Sequence, residues 1–344
     1  MTGTDWRNYE LMYKKPSLLY KFQDDEFGFV YLVHFFRLLT DDFWIFNGVM
    51  KLLYLYSLQR LFSFFVKDKW KAVGFSMTFS TLFMLIDCPM RFMIAQMFFI
   101  NSFIAFLRKK WILFLIGALF STLFHVTMII PLLFIGSYPL GKFILKTDRR
   151  LLFCIYIFFM YMSTQSSVYM FIFDRILNML GLEEFLKSYS MFNVEAVYVL
   201  GNLKNAMLFC LFVCSRDLIL SMPQKFGNYI YYWGILSFFL SPILNGIPTG
   251  FRMGIFVNYF AILGVVYVLS LASYKRSLYR CCLKYAVYLM LLIVLTKNVY
   301  TTWFYYPYSN SIPYIIKGHL PYHIRDKYNY VEYVRMTGRD IELK

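Results

Sequence analysis

Runs of 16 to 25 mainly apolar residues recur between Phe43 and Trp303, near the length of about 20 that a helix needs to cross roughly 30 Å of hydrocarbon. In hydrocarbon every backbone N–H and C=O must be satisfied within the segment, which leaves the helix as the form such runs can take. The segments are Phe43 to Val66, Ala72 to Cys88, Phe92 to Leu107, Trp111 to Ile135, Leu151 to Phe173, Val197 to Cys214, Asn228 to Pro248, Met253 to Ser273 and Leu283 to Trp303. Of the 344 residues 60% are apolar and only 16% charged, whereas a soluble domain is about one half apolar and one quarter charged. The sequence therefore predicts an all-α, polytopic integral membrane bundle with about nine membrane segments, forming a single membrane domain over residues 1–344. In this reading 1–42 and 304–344 are polar segments outside the cytoplasm and 43–303 is the bundle.

Orientation follows from the cations. The net charge is +16, and the Lys and Arg residues cluster in short loops between apolar runs, a pattern of membrane topology rather than of nucleic-acid binding. Lys67, Lys69 and Lys71 make one cytoplasmic loop, and Lys275, Arg276, Arg280 and Lys284 another. The loop from Asp174 to Ala196, with the acids Asp174, Glu183, Glu184 and Glu195, belongs outside. Seven segments separate the two cytoplasmic loops, and an odd number of crossings cannot return a chain to the side it left. The stretch from Trp111 to Leu145 resolves the parity: it is interrupted by Pro131, Gly136 and Pro139 and flanked by cations at both ends, Arg108 to Lys110 and Lys142 to Arg150. It is expected to enter and leave on the cytoplasmic face as a broken or re-entrant pair, with irregular backbone near His125 to Pro139. The competing repair is that Phe92 to Leu107 does not span. The first span then runs inward from an exported amino-terminal segment, so a further apolar helix is expected upstream of Met1.

An ionisable group at membrane depth costs roughly 2.5–3.5 kcal/mol on insertion scales, so each needs a partner, a wet cavity or a function. Arg91, in Asp87-Cys88-Pro89-Met90-Arg91, stands at the outer end of a span, where a guanidinium can clamp a diphosphate bidentately. His125 is the one histidine inside a candidate span, and neutral imidazole can take a proton from a hydroxyl or donate to a phosphate oxygen. Arg252 follows the turn-rich Asn245-Gly246-Ile247-Pro248-Thr249-Gly250, and Lys204 lies within a span and is expected to face a cavity. Asp5, Tyr9 and Glu26 supply carboxylates and a phenol in the amino-terminal segment. No second ligand stands at helical spacing from His125, so a metal is not expected, and without a P-loop, GxGxxG or HExxH motif no cofactor is expected either. Cys88, Cys154, Cys210, Cys214, Cys281 and Cys282 lack zinc-site spacing and read as small buried hydrophobes.

Gly3-Thr4-Asp5-Trp6-Arg7-Asn8-Tyr9, Glu26-Phe27-Gly28-Phe29, Arg91-Phe92-Met93-Ile94-Ala95, Phe124-His125 and the late Arg252 occur in an order that resembles the EpsG family, membrane proteins similar to Wzy-type polymerases. The resemblance covers most of the chain. It implies a GT-C-like helical fold in the bacterial plasma (inner) membrane. It also implies a metal-independent glycosyltransferase that joins undecaprenyl-diphosphate-linked oligosaccharide repeat units into exopolysaccharide, capsule or O-antigen. Donor and acceptor are both lipid-linked, and a flippase and a chain-length regulator are the protein partners it suggests. Carried onto this sequence, Arg91, His125, Asp5 and Glu26 form the catalytic set, while Arg252 and Tyr9 bind substrate; Lys204 joins the substrate-binding residues as the cation expected to face a cavity. Family members begin with a membrane helix just before the GTDxxxY segment and carry a polar residue after the Arg, where this chain has Phe92. A membrane acyltransferase, or a carrier of lipid-linked sugars, would also use cavity-facing cations. The two halves of the chain show no duplicated pattern of the kind many carriers have.

Overall fold

The computed structural model describes residues 5–15, 17, 27–67, 69–76, 84–85, 89–164, 199–222, 226–244 and 250–272, with positions 285, 288, 289 and 292. All regular structure among the described residues is helical: α1 (Asp5–Lys14), α2 (Phe27–Arg37), α3 (Phe43–Phe65), α4 (Lys69–Ser76), α5 (Met90–Leu107), α6 (Trp111–Phe124), α7 (Ile129–Gly136), α8 (Tyr138–Lys146), α9 (Arg149–Thr164), α10 (Val199–Cys214), α11 (Arg216–Leu220), α12 (Phe226–Leu244) and α13 (Gly250–Ala272). The predicted last span, Leu283 to Trp303, lies almost wholly outside the described residues. Local signals set the ends. The Asp42 carboxylate accepts from the Trp44 N–H at 2.7 Å and so caps α3, and α5 starts directly after Pro89.

Side-chain pairs give the direction of each helix. We call the end at which α5 begins the upper end. Phe106 meets Trp111 at 5.4 Å, Phe98 stacks on Phe124 at 4.9 Å and Phe92 meets His125 at 5.4 Å, so α6 climbs back antiparallel to α5. Phe99 packs on Phe256 and Phe103 on Phe260, which makes α13 parallel to α5. Arg60 bonds Asn101 and Phe64 lies under Arg108, so α3 also descends with α5. In α12, Trp233 packs on Phe260 and Ser237 bonds Asn258, so α12 climbs beside α13. Asn205 bonds Ser241 and Phe212 stacks on Tyr231, so α10 descends against α12. The core between them is aromatic, with Phe62, Phe99, Trp233, Phe256 and Phe260 fully or almost fully buried. Phe212 wedges three helices together: a Cβ at Gly234 or Gly264 would lie 2.3 or 2.2 Å from its ring, so only glycine fits at either contact.

The stretch after α6 is broken twice. The helix stops at His125, whose backbone is extended (φ −162°, ψ 116°), and a single turn of 3-10 helix, Val126–Met128, leads into α7. A second break falls at Ser137, held by the Tyr232 hydroxyl at 2.8 Å, and α8 restarts with Pro139 in its first turn. Arg216 then donates to the carbonyls of Leu145 and Thr147, at the level where Phe226 packs on Phe64 and Phe65. The irregular backbone thus sits where the sequence placed it, and the stretch begins and ends at the lower end.

Two expectations need revision. The first 42 residues are not uniformly polar, because α2 buries Phe29, Val30 and Val33 against the bundle. Cys154, Cys210 and Cys214 are exposed thiols rather than buried ones, because they stand on the outer faces of α9 and α10. That exterior is apolar. In α6, which carries no charge, Ile112, Leu113, Leu115, Ile116, Leu119 and Phe120 are all exposed. A face of this kind is solvated by hydrocarbon rather than by water. Among the described residues Met90–Leu107 is the one helix long and apolar enough by itself to cross a membrane, so the count of about nine segments rests on the sequence.

Candidate functional site

The upper end brings together Arg91, Tyr9 and His125, three of the residues that the sequence singled out. Arg91 occupies the first turn of α5 and is half-buried. Its Nε donates to the Tyr9 hydroxyl at 3.1 Å, and its guanidinium carbon lies 6.0 Å from the centre of the same ring. Tyr9 is only 8% exposed, and the edge-on ring of Phe29 at 5.5 Å covers it. One phenol therefore fixes the plane of the guanidinium by a hydrogen bond and by cation–π contact. The contact draws α1 onto α5 across 82 residues of sequence.

His125 joins the same assembly through Phe92, the residue after Arg91, whose ring meets the imidazole edge-on at 5.4 Å. Phe92 is 2% exposed. Phe92 is therefore the wall on which the imidazole rests. From the other side α2 closes on the end of α6. A Cβ at Gly28 would come 3.0 Å from the Leu123 carbonyl oxygen, a contact that only glycine permits without displacement. Glu26-Phe27-Gly28-Phe29 thus has a structural reading: Gly28 seats α2 beside His125, and Phe29 covers Tyr9.

The helices that carry Arg91 and His125, and the turn after His125, also hold polar groups that packing does not satisfy. Gln96 is fully buried, and neither its Nε2 nor its Oε1 has a hydrogen-bond partner; the same holds for Ser121 Oγ and Thr127 Oγ1. Gln96 follows Arg91 by little more than a turn of α5, and Ser121 precedes His125 by one turn of α6. Each costs about 1–3 kcal/mol if left unpaired. Nothing in the sequence marked Gln96, because one amide in an apolar run reads as helix glue.

The remaining predicted residues are placed by their backbones. Asp5 opens α1, one helical turn before Tyr9. Arg252 stands in the first turn of α13 and, by the Phe99–Phe256 pairing, comes level with Ala95 in the turn after Arg91. Lys204 adjoins Asn205, which bonds Ser241 near the top of α12. The side chains of Asp5, Lys204 and Arg252 lie outside what the structure describes, as does Glu26 altogether. By backbone position, Arg91, His125, Lys204 and Arg252 share one end of the bundle. A guanidinium ordered by a phenol, with an imidazole across the neighbouring Phe92 ring, can hold a phosphate or diphosphate and exchange a proton near it. The model of the EpsG family matches residues 1–310 of this chain. No curated protein and no solved structure matches it.

Proposed function

Since this chain belongs to the EpsG family, a helical membrane family with a polysaccharide polymerase-like role, we propose that it polymerises undecaprenyl-diphosphate-linked oligosaccharide repeat units by glycosyl transfer at the outer face of the bacterial plasma membrane. The acceptor hydroxyl attacks the anomeric carbon of the donor sugar, the bond from that carbon to the diphosphate oxygen breaks, and the hydroxyl proton passes to a base. Negative charge grows on the departing diphosphate. Arg91, oriented by Tyr9, stabilises that charge, and Arg252 and Lys204 add cations from the neighbouring helices. His125, Asp5 and Glu26 are the candidate bases, and the His125 imidazole rests on Phe92, the residue after Arg91. About nine crossings with the upper end outward complete the reading, in a GT-C-like arrangement.

The observation that carries this reading is the Tyr9–Arg91 bond, which unites two separate family segments around one guanidinium. The test is reconstitution with purified lipid-linked repeat units. Wild-type protein is expected to give a ladder of products without any acyl donor. Arg91→Ala and His125→Ala are expected to abolish long polymer at unchanged protein level. Wild-type chain length in either variant defeats the assignment; dependence on an acyl donor points to acyl transfer, and movement of intact lipid-linked units across vesicles to transport.

A further inference from the structure

Arg60, Arg108 and Lys110 surround a cavity of about 360 Å³ at the lower end of α3, α5 and α6, the end opposite Arg91. The rest of its lining is mainly apolar, and Ile116 and Phe120, 48% and 47% exposed, continue it onto the outer face of the bundle. Among the described residues no carboxylate pairs with any of the three cations; the ion pairs found there are Lys14–Glu10 and Arg149–Asp217. The cations are nevertheless held in place. Arg60 donates to Asn101 Oδ1 at 2.6 Å, and the Asn101 amide is fixed in turn on Ser57 Oγ and the Met97 carbonyl, each at 2.8 Å. Arg108 lies 5.8 Å over the ring of Phe64.

The turn that presents them is strained. Lys109 adopts φ 58°, the left-handed region that glycine occupies at little cost. Its N–H bonds the Phe106 carbonyl and the Lys110 N–H the Ala105 carbonyl, each at 2.9 Å, which is the Schellman closure of a helix. A lysine where glycine would be easier makes three consecutive cations, two of which border the cavity.

A soluble anion would satisfy the cations and leave the apolar wall without purpose; a bare hydrocarbon chain would do the reverse. We propose that this cavity binds an anionic phospholipid, with the phosphate between Arg60, Arg108 and Lys110 and an acyl chain along Phe98, Ile116 and Phe120. Guanidinium groups bind phosphate oxygens bidentately, and basic pockets between membrane helices hold lipid headgroups in this way. The volume suits a headgroup and the first part of a chain, with the remainder lying in the bilayer. The site does not depend on the reading of Arg91 and His125.

The test is native mass spectrometry of the full chain in detergent, with phosphatidylglycerol and phosphatidylcholine of equal chain length. Phosphatidylglycerol is expected to be retained preferentially. Arg108→Gln and Lys110→Gln are each expected to weaken it about five-fold, and Lys14→Gln, on α1 away from the cavity, to leave it unchanged. Photo-crosslinking of wild-type protein with a tail-labelled phosphatidylglycerol, which needs no variant to fold, is expected to mark the peptide that contains Ile116 and Phe120. Equal retention of the two lipids, full retention in the Arg108→Gln/Lys110→Gln variant, crosslinks confined to other helices, or displacement by millimolar inorganic phosphate would each overturn the proposal.

Discussion

At Tyr9 one phenolic oxygen accepts from Arg91 while the ring beneath it faces the same cation. Tyr9→Phe keeps the ring and removes the oxygen. It is therefore expected to lower the rate of chain extension about ten-fold, the equivalent of one hydrogen bond to a charged group, without changing protein level. Single-turnover assays on lipid-linked units check this. Tyr13, one turn on, donates to the Thr40 carbonyl at 2.7 Å. Burial pushes its phenol above the usual value, with Arg37 opposing and Asp41 and Asp42 reinforcing the shift. The fold thus favours the neutral form. The stability this contributes is complete below about pH 10 and is lost as pH rises through the raised value. Limited proteolysis of α1 is expected to accelerate at alkaline pH in wild-type protein, and the acceleration is expected to diminish in Tyr13→Phe. At this scale the sequence was informative about charge and uninformative about aromatics. Arg91 and His125 stand out because ions are rare in apolar runs. Phe29 and Phe92, which position Tyr9 and His125, are hidden among the chain's 39 phenylalanines.

Helices were legible where proline, glycine and charge punctuate them. The start of α3 at Phe43 and the end of α5 at Leu107 fall where the apolar runs begin and end. The break at His125 was expected only within a window, since the prolines and glycine that suggest it lie downstream and the backbone yields earlier, at the imidazole itself. The helix α2 was missed because its neighbours in sequence are acidic and its eleven residues are too few to span. Lys109 offers a test at the level of a helix end. Lys109→Gly relieves the left-handed strain and is expected to stabilise the protein by about 0.5–1 kcal/mol, part of the relief being offset by a freer unfolded chain. Thermal unfolding in detergent measures it, and a lower midpoint would show that the lysine makes compensating contacts.

For the whole molecule, the count of crossings and the geometry meet in the broken stretch from Trp111 to Lys146, which starts and finishes at the end that carries Arg108. Cysteine labelling in intact cells is expected to modify Lys110→Cys and Lys146→Cys from the same side, and Lys15→Cys from the other. External labelling of Lys146→Cys would rule out the returning pair. The sequence could foresee this through charge parity alone, whereas the meeting of Arg91, His125 and the start of α13 needed long-range packing that no local pattern encodes. One helix ties the two ends together. The 18 residues of α5 measure about 27 Å, close to the depth of the oily layer, with a guanidinium at each extremity. Such a rod cannot slip toward either leaflet without dragging a cation into oil, so the height of the upper chemistry above the bilayer midplane is tied to lipid length. Reconstitution in progressively thicker bilayers should then alter turnover even with the lipid-linked substrates unchanged.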